Sequence, residues 1–340
     1  MPEKINMQIR KLEQSEHIKT KSLYKEVFST DSEGFVDYYY TEKIKDNQIY
    51  VMEEYEEIIG MLHLNPYTLK VNGLDKETNY IVAVATKEEY RKQGIMRKLL
   101  TKALNDMYEE HQTFTFLMPA AESIYLPYDF RTVYEQNHAY YDTEHEGKGF
   151  DIQELKAKEC EELAFSMNQF LAAYYQVYAN RSKEYFERLK KEYESDGAKL
   201  MLYRKDGNIV DMRPCVPDED IIKGTKPKIM IRIIDVRRML MSLRLKSLMA
   251  VAFHVTDPVI EENNRCVVMT GTEFSGVMLM DSKPENSEGI ITIAALSSLL
   301  FGAKTVEEVC EEDGVEMSER MKDEMKKIIP LNRIYLNEIV

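Results

Sequence analysis

The sequence predicts a mixed α/β (α+β) chain in three parts. Strand-like and helix-like patterns alternate through the first 135 residues. A stretch with three prolines and a glycine, "MRPCVPDEDIIKGTKPK", then interrupts the chain. Strand-like runs return between residues 248 and 282, and helices follow them. At 340 residues the chain is long enough for two or three domains, each with its own core. The expected divisions are 1–135, 136–225 and 226–340.

Each element follows from its pattern. "HIKTKSLYKEVF" reads as a helix, "QIYVMEE" and "EIIGMLHL" as paired strands across an acidic turn, and "NYIVAVAT" as a further strand. From Met96, the apolar positions Leu99, Leu100, Ala103, Leu104 and Met107 keep the rhythm of a helix with one buried face. "TFTFLMP" is the next strand. Residues 151–195 read as helical and rich in Tyr and Glu. "AKLMLYRKDGNIV" reads as a hairpin turning at Asp206-Gly207. "IMIRIIDVRRMLMSL" opens the last part, followed by the strand-like "LMAVAFHVTD", "RCVVMTGT" and "GVMLMDS". "IAALSSLLFG" is a helix closed by Gly302, and "MSERMKDEMKKII" is another before Pro330.

Composition narrows the function. With 45 Lys+Arg against 59 Asp+Glu, the net charge of −14 disfavours nucleic acid and anionic membranes and favours cationic small molecules or basic peptides, although charge taken alone is accounted for by solubility. No apolar run approaches the roughly 20 residues of a membrane span, and "MPEKINMQIRKLEQSEHIKT" has no leader-like apolar region. Cys160, Cys215, Cys266 and Cys310 form no C-x-x-C pair, which argues against a disulfide framework and fits a cytoplasmic protein. His17, His63, His111, His138, His145 and His254 show no metal-binding spacing, so no metal is expected. His63 and His254 read as satisfied strand residues. "EEYEE" at 53–57 reads as a solvated hairpin turn, with the entrance for a cationic substrate as the alternative.

"VAVATKEEYRKQGIMRKLL", residues 82–100, carries the sharpest signal. A strand leads into a turn bearing Lys87, Arg91, Lys92 and Arg97, and a helix starts after Gly94. Free N–H groups at a helix start, a glycine that admits close approach and basic side chains together suit a phosphate-bearing cofactor. On local spacing alone, an ordinary βα turn with solvated basic residues accounts for the pattern equally well.

The order of residues goes further. "VAT-KEE-YRKQGIM" resembles the acetyl-CoA-binding signature of the GNAT N-acetyltransferases, with Met96 where a small residue is usual. That departure resembles the Eis-type branch. So do "AAESIY", one residue shorter than its counterpart, "MIRIIDVRRML" with "IAALSSLLFG", similar to a C-terminal sterol-carrier-protein-like domain, and the closing "PLNRIYLNEIV". The resemblance implies a GNAT domain at 1–135, a shortened central GNAT-like region at 136–225 and a sterol-carrier-like domain at 226–340, with the tail reaching the active site.

It also implies the chemistry. The cofactor is acetyl-CoA. Its pyrophosphate would be held by backbone amides of Gln93, Gly94, Ile95, Met96 and Arg97, with Arg91 and Lys92 nearby. Val84, Ala85 and Thr86 would pair with the pantetheine arm, and Ala121 and Glu122 would lie by the acetyl end. Tyr125 would protonate the departing thiolate, with Tyr128 as rival, and the terminal carboxylate of Val340 would accept the amine's proton. The partner is a small cationic amine, and the assembly a homo-oligomer, hexameric by resemblance. Two other readings stay open: a carrier of lipid or another hydrophobic ligand through the last domain, and a catalytically idle CoA sensor.

Overall fold

The computed structural model describes residues 7–141, 149–217 and 226–338. The first segment runs β1 (Met7–Lys11), α1 (Lys21–Val27), α2 (Glu33–Thr41), β2 (Gln48–Glu54), β3 (Glu57–Val71), β4 (Leu74–Thr86), α3 (Ile95–Glu109), β5 (Phe114–Leu117), α4 (Glu122–Tyr125) and β6 (Arg131–Glu135). Side chains alternate across these strands and split the core in two. Ile49 and Val51 face α1 and α2, burying Leu23, Tyr24, Val36 and Tyr39. Tyr50 and Met52 face the other way, toward Ile95, Leu99, Leu100, Ala103, Leu104 and Met107 of α3. The expected apolar stripe of α3 is thus its buried face. Gly60 lets α3 sit close to the sheet, because a Cβ there would meet the Ile95 side chain at 2.6 Å.

The middle segment differs from an all-helical reading of 151–195. It runs β7 (Asp151–Glu154), α5 (Cys160–Tyr174), β8 (Val177–Ala179), α6 (Lys183–Ser195), β9 (Lys199–Lys205) and β10 (Asn208–Cys215). β7 pairs with β9, and β9 with β10, while β8 joins β3. Both added strands are very short, so they lack the length that distinguishes a strand from a helix in sequence. The hairpin turns where expected, with Asp206 and Gly207 at φ of 51° and 83°, the pair of positive values a tight two-residue hairpin turn needs.

The last segment runs β11 (Lys228–Ile233), α7 (Val236–Leu240), β12 (Arg244–Leu245), β13 (Met249–Thr256), β14 (Arg265–Thr272), β15 (Gly276–Asp281), β16 (Gly289–Thr292), α8 (Ile293–Leu300), α9 (Val306–Val309), β17 (Glu316–Met317), α10 (Glu319–Met325), β18 (Ile328–Ile329) and β19 (Ile334–Tyr335). Its five-stranded sheet has the order β15-β14-β13-β16-β17. Its opening strand does not belong to that sheet. β11 inserts between β5 and β6, giving the first sheet the order β1-β2-β3-β4-β5-β11-β6, so a cut at residue 226 divides the chain but not the fold. Five of the six residues of β11 are buried, the near-continuous burial of a strand covered on both faces. α8, buried along its whole length, packs against β11 and β6 as well as β16. The Phe301 ring, next along the chain, meets Phe114 of β5 at 5.3 Å.

Candidate functional site

β4 and β5 run parallel but pair only at Tyr80–Phe116 and Ile81–Leu117. Beyond that point β4 continues alone on this side to Thr86, so the two strands open a wedge in the middle of the sheet. A bulge drives the parting. Met61 pairs with Ala85 and His63 with Val82, so Ala83 and Val84 together oppose one residue of β3. Ala83 adopts φ of 49°, the local kink by which a bulge re-aims a strand. The backbone of Val84 to Thr86 borders the wedge, while the Ala85 side chain is buried.

The chain then turns through Arg91–Gly94 into α3. Lys92 and Gly94 take φ of 63° and 78°. Among the described residues no side chain caps the start of α3, leaving its first amides free of such a partner. A Cβ at Gly94 would find nothing within 4 Å, so the approach is open. Lys87 is not available here, being ion-paired with Glu57. Arg91, Lys92, Arg97 and Lys98 are exposed and make no ion pair among the described residues. Arg91 reaches back to the Thr86 carbonyl at 3.4 Å, and Gln93 donates to the Glu89 carbonyl at 3.1 Å. The Ile95 side chain is buried and Met96 half-buried, so these two offer only their amides.

α4 begins past the end of β5, with Ala121 extended ahead of its first turn. The Tyr125 ring is buried edge-on to Phe130, centroids 5.9 Å apart. Its hydroxyl has no hydrogen-bond partner among the described residues, yet is not among the polar atoms sealed from solvent. Burial pushes its pKa up to about 12. The rival Tyr128 is held by its backbone, whose carbonyl accepts from the Arg232 guanidinium at 2.9 Å. Glu122 is occupied: it accepts from the Thr132 hydroxyl and from Lys228 at 2.9 Å, ties that pin α4 to β6 and β11.

Val340 lies outside the described residues, but the tail before it threads into the body of the protein. β19 runs parallel to β8. Gln136 donates to the carbonyls of Leu336 and Glu338 at 3.0 and 2.9 Å. Tyr134 donates to the Asn337 side chain at 2.7 Å. Glu338 is 2% exposed, paired with Arg181 at 3.4 Å and hydrogen-bonded by the Tyr185 hydroxyl.

Glu338 also lines a cavity of about 310 Å³ between α6, the turn after α2 and β3. Its wall carries Asp46, Glu184, Glu192 and Glu338 against Lys43 and Arg188, an excess of negative charge. Burial raises the Glu192 carboxyl to about pH 7, against the pull of Lys43, and lowers the Lys43 amine. Sequence reasoning did not find these groups. Asn65 offered a signal, a polar residue within the apolar run "MLHLNPYT"; Glu192 offered none within "KKEYES". The "EEYEE" turn stands apart from the cavity, with Glu53 on Arg10, Glu54 on Tyr90 and Glu57 on Lys87. Among the described residues, no three His, Cys, Asp or Glu side chains gather as a metal site, and no helix is long and apolar enough to cross a membrane.

Residues 8–133 match the model of an acetyltransferase (GNAT) domain. The chain carries a GNAT acetyltransferase domain. The match spans β2 to β5, the wedge and the turn into α3, and stops before β11, the strand that fills the GNAT sheet from the far side of the middle segment. No curated protein sequence matches the chain. Solved structures extend the likeness to the whole fold. A GCN5-related N-acetyltransferase from Anabaena variabilis superposes with a TM-score of 0.76 at 13% identity, covering 98% of this chain and 100% of that one. A probable N-acyltransferase from Enterococcus faecalis gives 0.74 at 13%, covering 97% and 100%. Eis1 from Mycobacterium abscessus gives 0.71 at 12%, covering 97% and 98%. At such identities the likeness is one of fold, and it embraces the middle and last segments together with the GNAT domain.

Proposed function

We propose that the protein is an acetyl-CoA-dependent N-acetyltransferase acting on small cationic amines. The observation that carries this is the juxtaposition of the β4–β5 wedge with the open, uncapped start of α3 and its four cations, which make no ion pair among the described residues. The amides from Gln93 to Arg97 hold the pyrophosphate, with Arg91 and Lys92 adding charge-assisted contacts. The free edge of β4 at Val84 to Thr86 pairs with the amide-bearing pantetheine arm, and an amide there stabilises oxyanion charge on the acetyl carbonyl. Acetyl-CoA supplies a thioester whose carbonyl forms a C–N bond with an amine as the C–S bond breaks. Tyr125, protonated at neutral pH, gives its proton to the leaving thiolate. A terminal carboxylate at Val340, two residues beyond the buried Glu338, takes the proton that the ammonium must lose. The acidic cavity beside the tail admits the acceptor, an amino sugar, polyamine or lysine-like amine.

We read the last segment as the sterol-carrier-like unit of such enzymes, serving to deliver the tail, and the assembly as a cytoplasmic homo-oligomer, hexameric by resemblance. The carrier reading gains nothing from the interior of this unit, which α8 fills, or from its grooves of about 600 and 500 Å³, which are lined partly by charged residues. A screen of amines for acetyl-CoA-dependent thiol release tests the proposal. Release with at least one cationic amine is expected. Acetyl-CoA binding with no release from any amine would leave the idle sensor standing instead.

A further inference from the structure

The five-stranded sheet of the last segment has one face in the core and one face outside. Side chains alternate across its strands. Met249, Val251, Phe253, Val255, Val267 and Met269 take the inner positions and are buried in the core. A face that met only water would carry polar residues at the outer positions. This one does not. The register sets the outer residues in rows: Met278, Thr270 and Ala250 in one, Met280, Val268 and Ala252 in the next, His254 and Ile290 in a third. None of them is Asp, Glu, Lys or Arg, in a chain that is 31% charged. Met278 and Met280 stand 59 and 57% exposed. Soluble chains seldom leave a contiguous apolar face to water without a use for it.

The face has relief as well as composition. Met278 and Met280 form a ridge of long side chains along the β15 edge, and Ala250 and Ala252 make a low floor on β13. Beyond the floor a groove of about 600 Å³ opens beside His254, Ser287, Ile290 and Met317. Charge returns at the rim, with Glu316 and the Glu288–Arg320 ion pair, the polar border that surrounds an interface core. Ridge and groove lie on opposite sides of one face. A half-turn about an axis along the strands, between β13 and β14, sets each ridge over the groove of a second copy. That self-complementarity is what a two-fold contact requires.

Charge selects the same occupant. A net charge of −14 makes acidic surfaces of two copies repel and draws basic peptides to acidic surfaces. An uncharged face suits neither a basic peptide nor an anionic membrane, but it lets two copies approach without repulsion. Its extent is adequate. Five strands by the eight residues of β13 and β14 span roughly 20 Å by 25 Å at ordinary strand spacing and rise. That is on the order of 500 Å² in plan, over half of the ~800 Å² a standard interface takes from each partner, before side-chain relief is added. We propose that the outer face of this sheet is the two-fold contact between copies of the chain, the methionine ridge of each seated in the groove of the other.

The test is the mass of the full chain in solution, measured by light scattering on a sizing column. The parent is expected as an even number of copies. Met278→Glu with Met280→Glu places carboxylates where the side chains already meet solvent, so the fold stays and the mass should halve, from six copies to three or from two to one. Thr270→Arg, in the middle of the face, should halve it too and decides if the methionine variant aggregates. Met280→Leu, which keeps the ridge apolar, should leave the mass unchanged. A monomeric parent, a mass that the charged variants leave unchanged, or a fall to one-third would overturn the inference. So would a halving by Phe165→Glu with the methionine variant unmoved, which would shift the contact to α5, where Phe165 and Phe170 are also exposed. The inference rests on the homo-oligomer reading alone. A monomer removes both, an oligomer unmoved by the charged variants removes this face only, and thiol release reports on the enzyme in either case.

Discussion

Among 22 tyrosines, composition and periodicity give no reason to single out Tyr125, and only the ordered set of resembling segments did. The structure adds physical grounds: a ring locked against Phe130, a hydroxyl without a partner among the described residues, and a pKa raised by burial to about 12. A phenol in that state stays protonated through the physiological range and can serve as an acid. Tyr125→Phe is expected to lower turnover by about 100-fold, within the range of a lost general acid, while the acetyl-CoA-induced rise in melting temperature persists. Tyr128→Phe should leave turnover near the parent value, because Tyr128 contributes its backbone carbonyl to Arg232 whatever its side chain. Steady-state rates of the two variants check both statements, and the reverse ranking would make Tyr128 the acid. Glu192 was illegible for the opposite reason. A glutamate in a lysine-rich helical run reads as solvated, and only the packing of α6 against α2 puts it inside. Gly34 shows how close that packing is, since a Cβ there would lie 2.3 Å from the Ser195 carbonyl oxygen.

At the scale of elements, α3 was the most legible piece of the chain. Its apolar rhythm, its glycine and its basic turn are all local in sequence, and the helix runs from Ile95 as that pattern implies. The wedge it faces was not legible. A bulge is a mismatch between two strands, and the slip at Ala83–Val84 exists only relative to Leu62 of β3. Gly94→Glu brings a carboxylate to the open start of α3 and forces a side chain into the left-handed region at φ of 78°. Such strain costs about 1 kcal/mol, so the fold should survive, but the melting-temperature rise with acetyl-CoA should vanish. A thermal-shift titration checks this, and an undiminished rise would remove the pyrophosphate from this end of the helix.

The whole molecule is held by contacts between distant parts of the sequence. Arg232 of β11, fully buried, meets Asp257 at 2.6 Å, and the same carboxylate accepts from the amides of Val259 and Ile260 and from the Asn263 side chain. The pair links the first sheet, the Tyr128 loop and the five-stranded unit. Removing one charge of such a pair strands the other in the interior, so Asp257→Asn should cost about 3–5 kcal/mol of stability, read from urea unfolding. The second carboxylate near Arg232, Asp129 at 4.0 Å, is too distant to replace it. A double change of Arg232→Met with Asp257→Leu should cost less than the single one, because it leaves no buried charge behind.

By itself the sequence determined the local order: the alternation of strand and helix in the first segment, the buried stripe of α3, the Asp206-Gly207 turn, the glycine and cations of the turn into α3. Each is set by neighbours within a few residues, through side-chain periodicity and backbone preference. Tertiary structure alone decided what those pieces build. It brought β11 across the middle segment to lie between β5 and β6, parted β4 from β5, drew the tail in beside Tyr134 and Arg181, and formed an open cavity lined by Asn65 and Glu192. These are pairings between residues scores of positions apart. They are fixed by which buried surfaces and hydrogen-bonding edges can be satisfied together, and no window of sequence contains both partners.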